Sequence, residues 1–167
     1  MAKPQIIIVD DHQIFRQGLK SIITMENIAT VIGEASNGIE FINLLSLLKP
    51  DVVLMDLDMP DMNGLEATKR ALEIMPDIKI IVFTMFEDED YFIKMIELGA
   101  KGFILKSGDI SELEKAIQCV LNGEKYFSNT SYTKKSHTLA KNKSKLIESH
   151  SSDWQNKANA DMFPPWF

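Results

Sequence analysis

The sequence has a single cysteine, Cys119, so an intramolecular disulfide is excluded and the fold must rest on noncovalent packing. Cys119 itself sits in an apolar helical pattern with Ala116, Ile117, Val120 and Leu121, which predicts a buried packing role. No apolar run approaches the roughly 20 residues that a membrane-spanning helix needs. The start, MAKPQIIIVDD, lacks the apolar stretch and cleavage site of a secretory signal. These absences predict a cytoplasmic protein with no membrane partner. Positive charge is also scarce: 18 Lys and Arg stand against 24 Asp and Glu, a net charge of -6, which removes any general attraction to nucleic acid or anionic lipid. The lysines that do cluster, Lys134, Lys135, Lys141, Lys143 and Lys145, fall late in the chain.

What is present is enough for one well-buried domain and a short appendage, because 167 residues would hold two complete domains only tightly. Five β-branched or apolar runs recur about every 25 residues: Ile6 to Val9, Thr30 to Gly33, Val52 to Met55, Ile78 to Phe83 and Gly102 to Leu105. Each is nearly continuous rather than alternating, as in strands of a parallel sheet covered on both faces. Helical stripes fill the gaps: Ile14, Phe15, Leu19, Ile22 and Ile23; Phe41, Ile42, Leu45 and Leu48; Leu65, Thr68 and Leu72; Phe92, Met95, Ile96 and Gly99; Leu113, Ala116, Ile117 and Val120. Right-handed crossovers between parallel strands then predict an α/β fold with a doubly wound, five-stranded parallel sheet. Its ligand site belongs at the carboxyl ends of the strands, near the topological switch point.

Read at those ends, the first strand closes on Asp10 and Asp11, the third on Asp56, the fourth on Thr84 and the fifth on Lys106. Each residue alone has an ordinary explanation; Asp11, for instance, could simply cap the helix that follows. Together on one rim they do not. Three carboxylates at about 4 Å repel by several kcal/mol at an effective dielectric near 20, which calls for a cation. All-oxygen ligands with room for water and phosphate favour Mg²⁺. Lys106 adds a point charge suited to phosphate, and the Thr84 hydroxyl can donate to a phosphoryl oxygen. The set is suited to accepting a phosphoryl group on Asp56.

IIIVDDH at 6–12, DVVLMDLDMPDMNGLE at 51–66, IIVFTMF at 80–86 and GAKGFILKS at 99–107 resemble the signatures of bacterial response-regulator receiver domains, in order and spacing. The resemblance implies the flavodoxin-like (βα)5 fold over 1–125, with Asp56 as phosphoacceptor and a sensor histidine kinase as partner. It further implies that Asp11 and Asp56 bind Mg²⁺ directly with the backbone carbonyl of Asp58, that Asp10 assists through water, and that Thr84 and Lys106 read the phosphoryl group. Phe103 matches the family's aromatic switch position, although a plain core aromatic would look the same in sequence. Asp58 and Phe86 occupy places that in that family tune phosphoryl lifetime, and the apolar Phe86 predicts a persistent phosphorylated state. Ser107 replaces the proline common after the lysine; this and the NGEKYFS stretch look like the NarL/FixJ subfamily, whose members commonly continue into a LuxR-type, DNA-binding helix-turn-helix.

Residues 126–167 match that output domain only in part. Leu139, Asn156, Lys157 and Ala160 stand at suitable separations, but His150 and Asn159 fall where apolar residues belong. Two prolines in FPPWF would break a helix there. The Ser-, Thr- and Lys-rich stretch reads as a linker, and Trp154, Phe163, Trp166 and Phe167 are unusual in so polar a setting. DNA contact is therefore expected only with an intact output domain, and homodimerisation is a further expectation. Two other readings remain: a stand-alone receiver acting by protein contact, or an aspartyl-phosphate hydrolase using Asp56-Leu57-Asp58. The small size and the Asp10-Asp11 pair speak against the hydrolase, and the reading here is of no enzyme beyond self-phosphorylation and self-dephosphorylation at Asp56.

Overall fold

The computed structural model describes residues 2–85 and 87–128, together with 138, 141 and 142. Phe86 and the tail residues singled out above, Lys141 excepted, lie outside the described residues. The chain divides into two compact units, Met1–Asn129 and Thr130–Phe167.

Elements of the first unit alternate as β1 (Gln5–Val9), α1 (Gln13–Met25), β2 (Thr30–Ala35), α2 (Gly38–Leu45), β3 (Val52–Met55), α3 (Gly64–Ile74), β4 (Ile80–Thr84), α4 (Glu89–Leu98), β5 (Gly102–Leu105), α5 (Ile110–Leu121) and β6 (Tyr126–Phe127). All strand pairs are parallel, in the order β2-β1-β3-β4-β5-β6. The doubly wound parallel sheet expected from the sequence is therefore present, with one addition. Tyr126 and Phe127 pair with Gly102 and Phe103, so the first unit carries past residue 125. Two residues are too few to leave a periodic signal, which is why the sixth strand was invisible in the sequence.

The central strands bury both faces. Ile6, Ile8, Val52 and Leu54 join Leu19, Ile23, Leu113 and Ile117 of α1 and α5 in one core, while Ile7, Val9, Val53 and Met55 join Phe41, Leu45, Ala67 and Ala71 of α2 and α3 in the other. The helical stripes are narrower than the sequence suggested. On α1 only Leu19 and Ile23 are buried, with Ile14 at 87% and Ile22 at 44% exposure. On α3 the sheet-facing side is Gly64, Ala67, Thr68 and Ala71, with Leu65 and Leu72 only partly covered, because small residues let the helix lie close to the strands. Cys119 is likewise partly exposed at the edge of the α5 stripe.

Four helices start on a side-chain cap. Asn37, Asn63 and Asp109 accept the backbone N–H of the glutamate three residues on, and Asp88 accepts those of Asp90 and Tyr91. The exception is α1, whose N-cap His12 makes no side-chain cap bond. A local rule broken at one helix is where a functional constraint is sought.

Candidate functional site

The chain leaves β1 toward β2 on one side and returns to β3 on the other, so the switch point lies between the carboxyl ends of β1 and β3. Val9 and Met55 are register partners, which makes Asp10 and Asp56 neighbours. The backbone is pinned there by Asp56 N–H to Val9 O at 2.9 Å and Asp10 N–H to Ala35 O at 3.0 Å. The loop after Asp56 turns back through Gly64, whose N–H donates to Leu57 O at 2.9 Å. A Cβ at Gly64 would stand 2.1 Å from the Asp56 carbonyl oxygen, so glycine is what lets α3 press against the strand end that carries Asp56.

Asp10 and Asp56 are 2% and 5% exposed, and Lys106 reaches them from β5 with a side chain only 3% exposed. Its ammonium pairs with Asp10 and lies 3.3 Å from the Asp56 carboxylate, and it rests 4.4 Å from the centre of the Phe15 ring. Asp11, His12, Asp58, Met59, Pro60 and Met85 complete an open pocket around Asp56 and Lys106. Thr84 is buried at the end of β4 and is not among the side chains lining this pocket; its carbonyl accepts the Lys106 N–H at 2.8 Å. Phe103 is fully buried and packs edge-to-face on Phe92, with ring centres 5.3 Å apart.

The electrostatics are unbalanced. Burial pushes the Asp56 carboxyl above the ordinary carboxylate range; the Lys106 charge pulls it down and the Asp10 charge pushes it up again. Asp10, Asp11 and Asp56 face the Lys106 ammonium, with the Arg16 guanidinium donating to the Asp10 carbonyl, so the cluster keeps an excess of negative charge. Asp11 Oδ1 is shut off from solvent and has no hydrogen-bond partner. Ligand atoms of Asp10, Asp11, His12 and Asp56 all lie within 4.8 Å of one another, a grouping that could hold a metal ion. The orphaned oxygen and the excess charge both suit a divalent cation with oxygen ligands.

His12 is the member of this group that sequence reasoning missed. The signal was available in IIIVDDH: a third ligand-bearing side chain directly after the acidic pair. Asp11 does not cap α1. Asp10 turns inward instead, accepting the His12 N–H at 2.8 Å.

Among the described residues no helix is long and apolar enough to cross a membrane. The family model described as "Response regulator receiver domain" matches residues 6–118. The transcriptional regulatory protein DegU of Brevibacillus brevis is 37% identical over 145 residues, 87% of this chain and 60% of that protein. The oxygen regulatory protein NreC of Staphylococcus aureus is 41% identical over 123 residues, 73% of this chain and 57% of its own length. The chain thus spans about three-fifths of the length of these relatives. Among solved structures, a LuxR-family response regulator from Aurantimonas sp. SI85-9A1 superposes with a TM-score of 0.75 at 32% identity, covering 83% of this chain and 99% of that one. The isolated receiver domain of RcsB from Salmonella enterica serovar Typhimurium, solved with phosphomimetic BeF3-, gives 0.71 at 28% identity over 79% and 97% of the two chains. With its fold, its acidic switch-point cluster and these matches in agreement, the chain belongs to the response-regulator receiver family of two-component systems and is of the NarL/FixJ type.

Proposed function

We propose that Asp56 accepts a phosphoryl group from the phosphohistidine of a sensor histidine kinase, with Mg²⁺ bound at the acidic cluster. The observation that carries this reading is the meeting of Asp56, Asp10, Asp11 and Lys106 in one pocket, with Asp11 Oδ1 left without a hydrogen-bond partner. An Asp56 carboxylate oxygen attacks phosphorus as the bond to the donor nitrogen breaks, and the ring nitrogen keeps the bonding pair. Lys106, already between Asp10 and Asp56, neutralises charge on the transferred group. When bound, Mg²⁺ would supply the remaining positive charge, held by Asp11 and Asp56 with the Asp58 carbonyl, and by Asp10 through water. Thr84 donates its hydroxyl to the phosphoryl group, and Phe103 transmits the change from the adjacent strand.

On this reading the protein turns over no external substrate: the phosphoryl group enters and leaves its own Asp56. It works in the cytoplasm, as a dimer once phosphorylated, and its output is control of transcription where the segment after 126 forms a DNA-binding unit. Without such a unit it acts by protein contact alone.

Incubation of the 167-residue chain with acetyl phosphate and Mg²⁺, followed by intact mass measurement, tests the central step. One phosphoryl adduct is expected, absent in Asp56→Ala and absent when Mg²⁺ is chelated. An adduct that survives Asp56→Ala would overturn the assignment.

A further inference from the structure

The polar groups of Asp10 are taken up by several parts of the fold. Its N–H donates to Ala35 O of β2 at 3.0 Å, Oδ1 accepts the His12 N–H at 2.8 Å, Oδ2 pairs with Lys106, and the carbonyl accepts from the Arg16 guanidinium. β1 has ended at Val9, so the donor that meets this carbonyl is a side chain reaching back from the first turn of α1. The Arg16 side chain is only 15% exposed and also pairs with Glu34 of β2, 3.7 Å from Nε. Asp11 is held more loosely: its carboxylate lies 3.0 Å from the exposed His12 ring, and its buried Oδ1 makes no hydrogen bond. The Asp10 carbonyl and the Asp11 N and Cα atoms share one peptide plane, so whatever holds that carbonyl also sets where the Asp11 side chain starts.

We propose that Arg16 is a positioning residue for the cation site: by holding the Asp10 carbonyl it aims the Asp11 carboxylate at the metal, touching neither the ion nor the phosphoryl group. The inference rests on the phosphoacceptor reading for the presence of Mg²⁺ beside Asp11 and Asp56, and adds the residue that orients Asp11. Charge by itself would act the other way, since a guanidinium near a cation site repels the ion. What Arg16 supplies is direction. Mg²⁺ demands near-ideal octahedral geometry, and losing a group that orients one of a metal's ligands commonly costs about ten- to a hundredfold in affinity. Lys20 provides the comparison within the molecule: it carries the same charge and pairs with the same Glu34, at 2.9 Å, but its bond is to Glu34 and not to Asp10.

Titration of the full chain with MgCl₂, followed by backbone amide chemical shifts, tests this without phosphorylation. Arg16→Met is expected to weaken Mg²⁺ binding about tenfold or more and, in metal-free buffer, to shift the Asp11 amide resonance. Lys20→Met removes the same charge and is expected to leave the affinity unchanged or slightly tighter. With Mg²⁺ raised to saturation, Arg16→Met should gain the Asp56 adduct from acetyl phosphate at close to the wild-type rate, because the loss lies in metal affinity and not in the transfer. Arg16→Gln, polar but too short to replace the guanidinium at the Asp10 carbonyl, gives the same reading should Arg16→Met not fold. A folded Arg16 variant that binds Mg²⁺ as tightly as the wild type, or more tightly, overturns the inference, as does an equal loss in Lys20→Met; an adduct at wild-type Asp56 then leaves the phosphoacceptor reading intact. A wild type that neither binds Mg²⁺ nor gains an adduct overturns both.

Discussion

At the carboxyl ends of β1, β3 and β5, Asp10, Asp56 and Lys106 are held almost free of solvent, beside Asp11 with a buried oxygen that makes no hydrogen bond. On the same sheet, Phe92 of α4 meets Phe103 of β5 at 5.3 Å and Phe127 of β6 at 5.4 Å, both edge-to-face. The aromatic cluster gains from every contact it makes: large apolar area is removed from water and the ring geometry is favourable. The acidic cluster is held together against its own repulsion by Lys106 and by the rigidity of the strands beneath it. A region that costs stability in the resting protein and is nonetheless formed by three separate segments is organised for a ligand, whereas the aromatic contacts are favourable in themselves.

That contrast can be broken most severely from the acidic side. Lys106→Met should lower stability by about 3–5 kcal/mol at pH 7, because it leaves two buried carboxylates facing each other with no counter-charge. The deficit should shrink on acidification, and millimolar Mg²⁺ should recover part of it in thermal denaturation. Phe103→Ala should cost a similar amount, about 3–5 kcal/mol, through the cavity it opens against Phe92. Here neither acid nor Mg²⁺ should help. A Phe103→Ala deficit that Mg²⁺ repairs would mean that the two regions are not separable.

Gly64→Ala should lie next, at about 1–3 kcal/mol in denaturant titration, since a Cβ 2.1 Å from the Asp56 carbonyl forces α3 away from β3. It should also weaken Mg²⁺ binding, by displacing Asp56 and the loop that follows it. The smallest effect is expected of Asp56→Asn, and its sign is opposite. The folded-state pKa of Asp56 is raised above the ordinary 3.8, so between those two values the native protein holds a proton that the unfolded chain has released. Stability therefore falls as pH rises through that interval, and the full cost persists above it. In metal-free buffer at pH 7 Asp56→Asn should melt at a higher temperature than the wild type, with the difference vanishing below the ordinary value. A variant less stable than the wild type at pH 7 would show that the pairing with Lys106 outweighs burial.

The aromatic region was legible in the sequence only as separate apolar residues: Phe92 in a helical stripe, Phe103 in a strand, Phe127 beyond any visible element. Their meeting depends on α4 crossing the sheet and on the two-residue β6, neither of which leaves a local pattern. The acidic cluster was more legible because each of Asp10, Asp11, Asp56 and Lys106 follows directly after an apolar run, and parallel strands must end on one rim. Thr84 follows the same rule, standing buried at the end of β4.

The order of strands and helices, the parallel sheet and the residues at the strand ends were determined by the sequence alone, because hydrophobic periodicity and the handedness of crossovers leave few alternatives. The α1 stripe that leaves Ile14 exposed, the close approach of Gly64 to Asp56 and the placing of His12 against Asp10 and Asp11 were decided only in three dimensions. Each depends on how a loop turns or how closely an element packs, and periodicity carries no information about either.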